Sequence, residues 1–259
     1  MAATALITGA SSGLGEEFAI QLAREKRDLV LVARREDRLR DVADRARNLG
    51  AGKVIVISSD LGRAEAAAEL FRQVGAAGIV VDYLVNNAGF GTRGRFDQVP
   101  LDREIEEINL NVGALVALTR LFLPAMVASK SGTIINVAST AAFQPVPWMA
   151  TYGATKAFVL SFSEALSTEL QGTGVTVLAL CPGPTRTEFQ QVASVEHTGV
   201  PSFAYMDAPT VVRQAIESAK RGKAIRINGV INTIMAQSTR FAPRALVRRI
   251  SGAMFRADS

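Results

Sequence analysis

The stretch ATALITGASSGLG, residues 3–15, decides the fold. Residues 3–8 are a short apolar run of strand length. Gly9, Gly13 and Gly15 follow at once, and Leu14, Phe18 and Leu22 then recur at helical spacing over 13–26. A strand, a glycine turn and a helix in immediate succession open a βαβ unit. The glycines permit a tight turn, close approach of backbone to a pyrophosphate, and close helix–strand packing. The first amides of a helix lack partners within it, and together with the helix dipole they favour an anion. The spacing is GxxxGxG and not the commoner GxGxxG, so a plain strand–helix turn is the competing reading.

Outward from this turn the same alternation continues. Strand-like runs fall at 28–33, 53–58, 82–87, 132–139, 174–181 and 224–227. Helical patterns fall at 36–48, 63–76, 102–128, 151–171 and 209–221, the long one bent before Pro124. The strands are apolar throughout, without period-two alternation, which is the pattern of a sheet covered on both faces. The predicted fold is α/β: a single-domain, doubly wound Rossmann fold with a mostly parallel seven-stranded sheet and helices on both faces. Residues 1–228 form the dinucleotide-binding and catalytic domain, and 229–259 a basic amphipathic extension packed on it.

Composition narrows the chemistry. The chain of 259 residues holds one cysteine, Cys181, and one histidine, His197, in a loop-like stretch. An internal disulfide is impossible, and no histidine- or cysteine-based metal site is expected. Acid–base work therefore falls to Tyr, Lys, Asp or Glu. There is no uninterrupted run of about 20 apolar residues and no signal-peptide pattern, so the expected location is cytoplasmic. Of the net charge of +5, residues 220–259 carry nine Lys or Arg and one acid, leaving 20 basic and 23 acidic side chains before them. The basic excess belongs to the tail and not to a nucleic-acid face.

Tyr152 and Lys156 stand four apart in TYGATK, and Ser139 precedes the tyrosine by thirteen. On a helix both side chains share a face. An ammonium beside a phenol favours the phenolate, so the Tyr152 pKa is expected to fall below about 10. Such a tyrosine exchanges a proton with an alcohol or carbonyl oxygen, which a nearby serine hydroxyl can hold. The second strand ends at Arg34 and Arg35, where an acid would bind a ribose 2′-hydroxyl and repel a 2′-phosphate. Guanidinium groups there favour NADP(H) over NAD(H), unless they only start a solvated helix.

TGASSGLG (8–15), Asp60-Leu61, Asn86-Asn87-Ala88-Gly89, Asn111, Ser139, Tyr152-x-x-x-Lys156 and Pro182-Gly183-x-x-x-Thr187 occur in the order and spacing of the short-chain dehydrogenase/reductases. The chain resembles that family over residues 3–230. The resemblance implies that Tyr152 is the acid/base of carbonyl reduction or alcohol oxidation and that Ser139 bonds the substrate oxygen. It implies that Lys156 binds the nicotinamide ribose, and that Asn111, with Asn109 as a near rival, holds a water linking Lys156 to solvent. Cofactor contacts are implied at Gly9, Ser11, Ser12, Gly13, Leu14, Gly15, Arg34, Arg35, Asp60 and Leu61. They continue at Asn87, Ala88, Gly89, Tyr152, Lys156, Pro182, Gly183, Thr185 and Thr187. In the alternative reading Thr187 only caps the segment that follows. No metal is implied. Family members associate, so a homodimer or homotetramer through the helices near 102–128 and 151–171 is expected.

The strand ends of such a fold face the substrate. Aromatic residues in those loops, Phe143, Trp148 and Phe189 above all, line an apolar substrate pocket unless they are core or subunit contacts. The segment 186–208 has the composition of a mobile lid. The tail from Gly229 interleaves arginines with Ile231, Ile234, Phe241, Leu246 and Ile250, and resembles the DltE-like, broad-specificity branch of the family. Such a helix covers the domain or a neighbouring subunit, or lies on an anionic membrane, and Pro243 breaks or starts a helix there. The expected activity is hydride transfer between NADP(H) and a carbonyl or secondary alcohol of an apolar small molecule. The alternatives are a non-catalytic NADP-binding sensor, or a membrane-peripheral reductase of lipid-like substrates.

Overall fold

The computed structural model describes residues 3–189, 193 and 202–255. The strands are β1 (Thr4–Thr8), β2 (Asp28–Ala33), β3 (Val54–Ser58), β4 (Val81–Asn86), β5 (Gly132–Val137), β6 (Val175–Cys181) and β7 (Ile225–Ile227). They form one sheet in the order β3-β2-β1-β4-β5-β6-β7, with every neighbouring pair parallel. The chain winds outward from β1 to β3, then returns to lay β4 on the other side of β1. The carboxyl ends of β1 and β4 are thus the topological switch point, where a doubly wound sheet opens a crevice for a ligand.

Helices α1 (Gly13–Arg24), α2 (Glu36–Asn48) and α7 (Ala208–Lys220) cover one face. Phe18, Leu22, Leu39 and Val212 bury there against Ile7, Leu31 and Leu180. Helices α3 (Ala66–Ala76), α5 (Leu115–Ala128) and α6 (Ala150–Glu169) cover the other, where Leu70, Leu118, Phe122 and Leu166 meet Leu6, Leu84 and Ile134. Burial on both faces explains why the strands carry no polar alternation. Inside the second layer a polar chain crosses the sheet. Asn86 Nδ2 donates to Thr119 Oγ1 at 3.0 Å and Asn136 Oδ1 at 2.9 Å, and Asn136 Nδ2 donates to Ser163 Oγ at 3.0 Å.

The long helix predicted over 102–128 is present, but its irregularity is not where proline suggests. Helix α4 (Leu101–Ile108) passes into α5 through a π turn at Asn109–Ala114, and Pro124 sits within α5. The π turn inserts an extra residue and rotates Asn111 inward, a device that often marks functional sites. Asn111 Nδ2 donates to the Phe90 carbonyl at 2.9 Å and Thr155 Oγ1 at 3.1 Å, and its Oδ1 accepts from the Phe90 amide at 3.1 Å. The span 101–128 is long and apolar enough to cross a membrane by composition. Leu115, Leu118, Phe122 and Met126 bury along it against the sheet, while Leu101, Ile105 and Ile108 stay exposed.

The tail continues the domain. Helix α8 (Val230–Ser238) buries Asn232 and Ala236, and α9 (Arg244–Phe255) buries Val247 and Ser251. Pro243 starts α9, its carbonyl accepting from the amides of Leu246 and Val247. The outer faces leave Val230, Ile234, Phe241, Leu246 and Ile250 exposed.

Candidate active site

The glycine turn adopts the shape its residues permit. Gly9 and Gly13 have φ of 65° and 59°, in the left-handed region that a side chain disfavours. Asn87 Nδ2 donates to the carbonyls of Thr8 and Gly9 at 2.9 and 3.2 Å. Thr8 Oγ1 accepts from the amides of Asn87 and Ala88. These bonds stitch the ends of β1 and β4 together at the switch point. Ser12 precedes α1 but its side chain makes no capping bond, so the first amides of α1 remain open toward an anion.

From this turn a cavity of about 470 Å³ runs to Tyr152. At one end it is lined by Gly9, Ser11, Ser12, Gly13 and Leu14, with Arg34 and Arg35 after β2 and Asp60 and Leu61 after β3. Asn87, Ala88 and Gly89 form its floor. At the far end stand Ser139, Tyr152 and Lys156, faced by Pro182, Gly183, Thr185 and Thr187. Two predicted residues stand behind this wall. Gly15 packs against Gly9 and Asn87, and Asn111 lies beneath Gly89. These residues fit a dinucleotide: open helix amides and two guanidiniums suit phosphates, and the Asp60 carboxylate suits an adenosine edge. Thr187 packs on Gly13 and also accepts from the Phe189 amide at 3.4 Å, so it caps as well as lines.

Lys156 is almost wholly buried and donates from Nζ to the Val137 carbonyl at 2.8 Å. Burial pushes its ammonium down to about 8, against the opposing charge of Glu107. The expectation of an acidified Tyr152 is corrected. Burial pushes the phenol up to about 12; the Ser139 hydroxyl lowers it and the Glu107 charge raises it further. Lys156 Nζ lies 5.7 Å from the tyrosine ring centroid and is engaged by Val137, so desolvation outweighs its pull. Ser139 Oγ accepts from the Ala141 amide at 3.1 Å, which leaves its own hydrogen to donate into the cavity.

Of the three aromatic residues expected around a substrate, Phe189 lines the cavity, with its ring 5.4 Å from that of Tyr152. Phe143 and Trp148 do not. Phe143 packs with Val159 and Leu160, and its carbonyl accepts from Thr239. Trp148, at φ 70°, lines a separate cleft. The cavity is instead closed by Val146, Met149, Tyr205 and Phe255. Phe255, from the tail, carried no signal for this role in the sequence. Of the segment 186–208, residues 190–192 and 194–201 lie outside the described residues, as do His197 and the Phe203 side chain. Its ends are tied by a bridge between Thr185 and Met206. Sequence reasoning also missed Glu188, which pairs with Arg35, and Asn232, which packs on Gly183.

Comparison with known proteins agrees with this geometry. Residues 3–197 match the model of the family described as short chain dehydrogenase. A short chain dehydrogenase of Pseudocercospora fijiensis is 39% identical over 189 residues, 71% of this chain and 60% of that protein; the match thus spans under two thirds of that relative's length. The ketoacyl reductase HetN of Nostoc sp. is 34% identical, over 86% of this chain and 77% of that one. A Sphingobium yanoikuyae short-chain dehydrogenase solved with NADPH superposes with a TM-score of 0.83 at 34% identity, covering 94% of each chain. A Comamonas testosteroni alcohol dehydrogenase specific for bulky-bulky ketones gives 0.78 at 31%, covering 92% of each. Sequence, sheet order and the convergence of Ser139, Tyr152 and Lys156 agree: the chain is an oxidoreductase of the short-chain dehydrogenase/reductase family.

Proposed function

We propose that this protein interconverts a carbonyl and a secondary alcohol on an apolar small molecule, using NADP(H), with Tyr152 as acid/base. One observation carries the reading: a single cavity joins an arginine-flanked glycine turn to Ser139, Tyr152 and Lys156. The nicotinamide, when bound, supplies or accepts the hydride. The chain's part is to position and to move a proton. The Tyr152 phenol is protonated across the neutral range and gives its proton to the substrate oxygen in reduction. The Ser139 hydrogen stabilises the same oxygen as charge grows on it. Val146, Met149, Phe189 and Phe255 favour an apolar substrate flank, in keeping with the bulky-ketone preference of the Comamonas relative. The test is a carbonyl panel assayed with NADPH and NADH, with Tyr152→Phe as control. Loss of turnover in the variant and preference for NADPH are expected; full turnover by the variant sinks the reading.

We further propose the cytoplasm as its compartment and association as a homodimer or homotetramer through the outer faces of α4 and α6. Leu101, Ile105, Ile108 and Phe158 are exposed there, and light scattering reads the assembly. A second reading concerns the tail. Arg240, Arg244, Arg248 and Arg249 have no carboxylate within ion-pair distance among the described residues and flank the exposed Phe241, Leu246 and Ile250, which favours anionic lipid. Co-sedimentation with phosphatidylglycerol vesicles, lost in the variant with Arg248→Gln and Arg249→Gln, tests that contact.

A further inference from the structure

Trp148 stands in the left-handed region at φ 70°, a backbone setting that a bulky side chain keeps only under constraint. Its carbonyl accepts from the Gly94 amide at 2.8 Å, which ties the segment before α6 to the loop after β4. Between the two opens the second cleft, of about 240 Å³. Pro147 and Trp148 give it an apolar wall, and Phe96, 68% exposed, stands at its rim. Its inner polar atoms lack partners. Glu104 on α4 is only 8% exposed, and its Oε2 is buried without a hydrogen-bond partner. The Thr92 hydroxyl is buried without a partner as well. One turn further along α4, Glu107 is wholly buried with neither carboxyl oxygen satisfied. Neither glutamate forms an ion pair among the described residues. The cations at hand are engaged elsewhere: Arg95 holds Asp97 through Nε and Nη2, each at 3.0 Å, and Arg103 pairs with Glu106 at 3.2 Å. Buried polar atoms are ordinarily satisfied, and a buried carboxylate without donors is costly. The cleft thus holds acceptors and negative charge at its base, and lacks a donor and a positive charge.

We propose that the second cleft binds the primary ammonium group of a small aliphatic amine, with Glu104 as its counter-ion. The ammonium carries the missing charge, and its three N–H donors suit Glu104 Oε2 and Thr92 Oγ1 together. The chain of the amine lies along Pro147 and Trp148, whose indole attracts a cation that approaches its face. The volume takes a chain of a few carbons. A bare metal ion fits less well, because among the described residues no three acidic, histidine or cysteine side chains converge, and the apolar wall offers no ligand. The cleft is separate from the hydride-transfer site but shares a wall with it. Met149 lines the cavity at Tyr152 while Trp148 lines the cleft, and no residue lines both. Gly91, beside Thr92, packs on the same wall: a Cβ there would stand 2.9 Å from Tyr152 Cδ2 and 3.1 Å from Met149 Cε. Binding in the cleft does not depend on hydride transfer.

Trp148 is the chain's single tryptophan, so its emission reports on the cleft without a further probe. The full-length protein is titrated with n-butylammonium chloride, and with n-butanol and sodium chloride as controls. Butylammonium is expected to change the emission saturably, with a midpoint of about 1–10 mM, as so small a ligand allows. Butanol has a similar chain without the charge and should bind about tenfold more weakly or worse. Sodium chloride should leave the emission unchanged. Glu104→Gln keeps the shape and removes the charge, and is expected to raise the butylammonium midpoint by about tenfold or more. An equal response to butanol, a response reproduced by sodium chloride, or an unaltered midpoint in Glu104→Gln overturns the proposal. So does a wild type with no saturable response, the result expected if a side chain of a second copy fills the cleft. Should the variant not fold, butylammonium against butanol on the wild type decides alone. Failure of carbonyl turnover would strike the hydride-transfer reading and leave this binding untouched.

Discussion

Arg35 Nη2 stands 2.8 Å from Glu188 Oε2 and within 3.3 Å of the Ser11 and Ser12 hydroxyls, so one guanidinium bridges the glycine turn and the loop after β6. Glu188 is held below the usual carboxylate range, chiefly by this bond. A 2′-phosphate bound here competes with that carboxylate for the same donors. Arg35→Ala is therefore expected to weaken NADPH by about tenfold or more while leaving NADH nearly unchanged, the worth of one charge-assisted contact. Glu188→Gln should act oppositely, tightening NADPH several-fold by relieving repulsion. Fluorescence titration of both cofactors reads the two variants, and equal losses for NADH and NADPH would refute the phosphate role.

Glu107 also predicts how stability depends on pH. Its affinity for a proton is raised from 4.5 to about 7 on folding. Between those values the folded state binds more protons than the unfolded one, so stability falls as pH rises. The stabilising share is complete below about 4.5 and lost above about 7. Glu107→Gln removes this penalty. Its melting temperature should match the wild type near pH 4.5 and exceed it near pH 8, by on the order of 2–3 kcal/mol in free energy. Thermal melts at the two pH values check it.

How far these features were legible depends on where their causes lie. The glycine turn, the alternation of strands and helices and the positions of Ser139, Tyr152 and Lys156 follow from local pattern and spacing, and the structure brings the turn and these three residues to one cavity. The π turn at Asn109–Ala114 was not legible, because the apolar pattern of 102–128 runs through it and the proline drew attention further on. What fixes it is a tertiary bond, Asn111 to the Phe90 backbone. Phe143 and Trp148 lie outside the lining of that cavity for a similar reason: sequence names the loop but not which side of it faces inward. The Tyr152 pKa was misjudged because proximity to a lysine was weighed and desolvation was not.

Asn232 tests whether the tail supports the site. Its Nδ2 donates to the carbonyls of Ala204 and Asn228, and its amide packs directly on Gly183 in the cofactor loop. Asn232→Ala leaves the Ala204 carbonyl without its buried donor, at a cost of about 1–3 kcal/mol. The expected result is a lower melting temperature together with weaker NADPH binding, because the Gly183 backbone loses its backing. Calorimetry separates the two effects. A variant that melts early but binds NADPH with wild-type affinity would confine Asn232 to a structural role in the tail.

Phe255 carries the tail to the substrate end. Its ring lines the cavity beside Val146 and Met149, and its carbonyl accepts from Arg93 Nε at 3.1 Å, which fixes the end of α9. A bulky ketone would bury one substituent against this ring, whereas a small one would not reach it. Fully burying an aromatic surface is worth about 1.5–3 kcal/mol. Phe255→Ala should therefore raise KM for a diaryl ketone by roughly ten- to hundredfold, leave acetone-sized substrates unaffected, and change kcat little, since Tyr152 and Ser139 are untouched. Steady-state kinetics on a graded ketone series checks this. A uniform loss across the series would mean instead that Phe255 holds the site together and does not select what enters it.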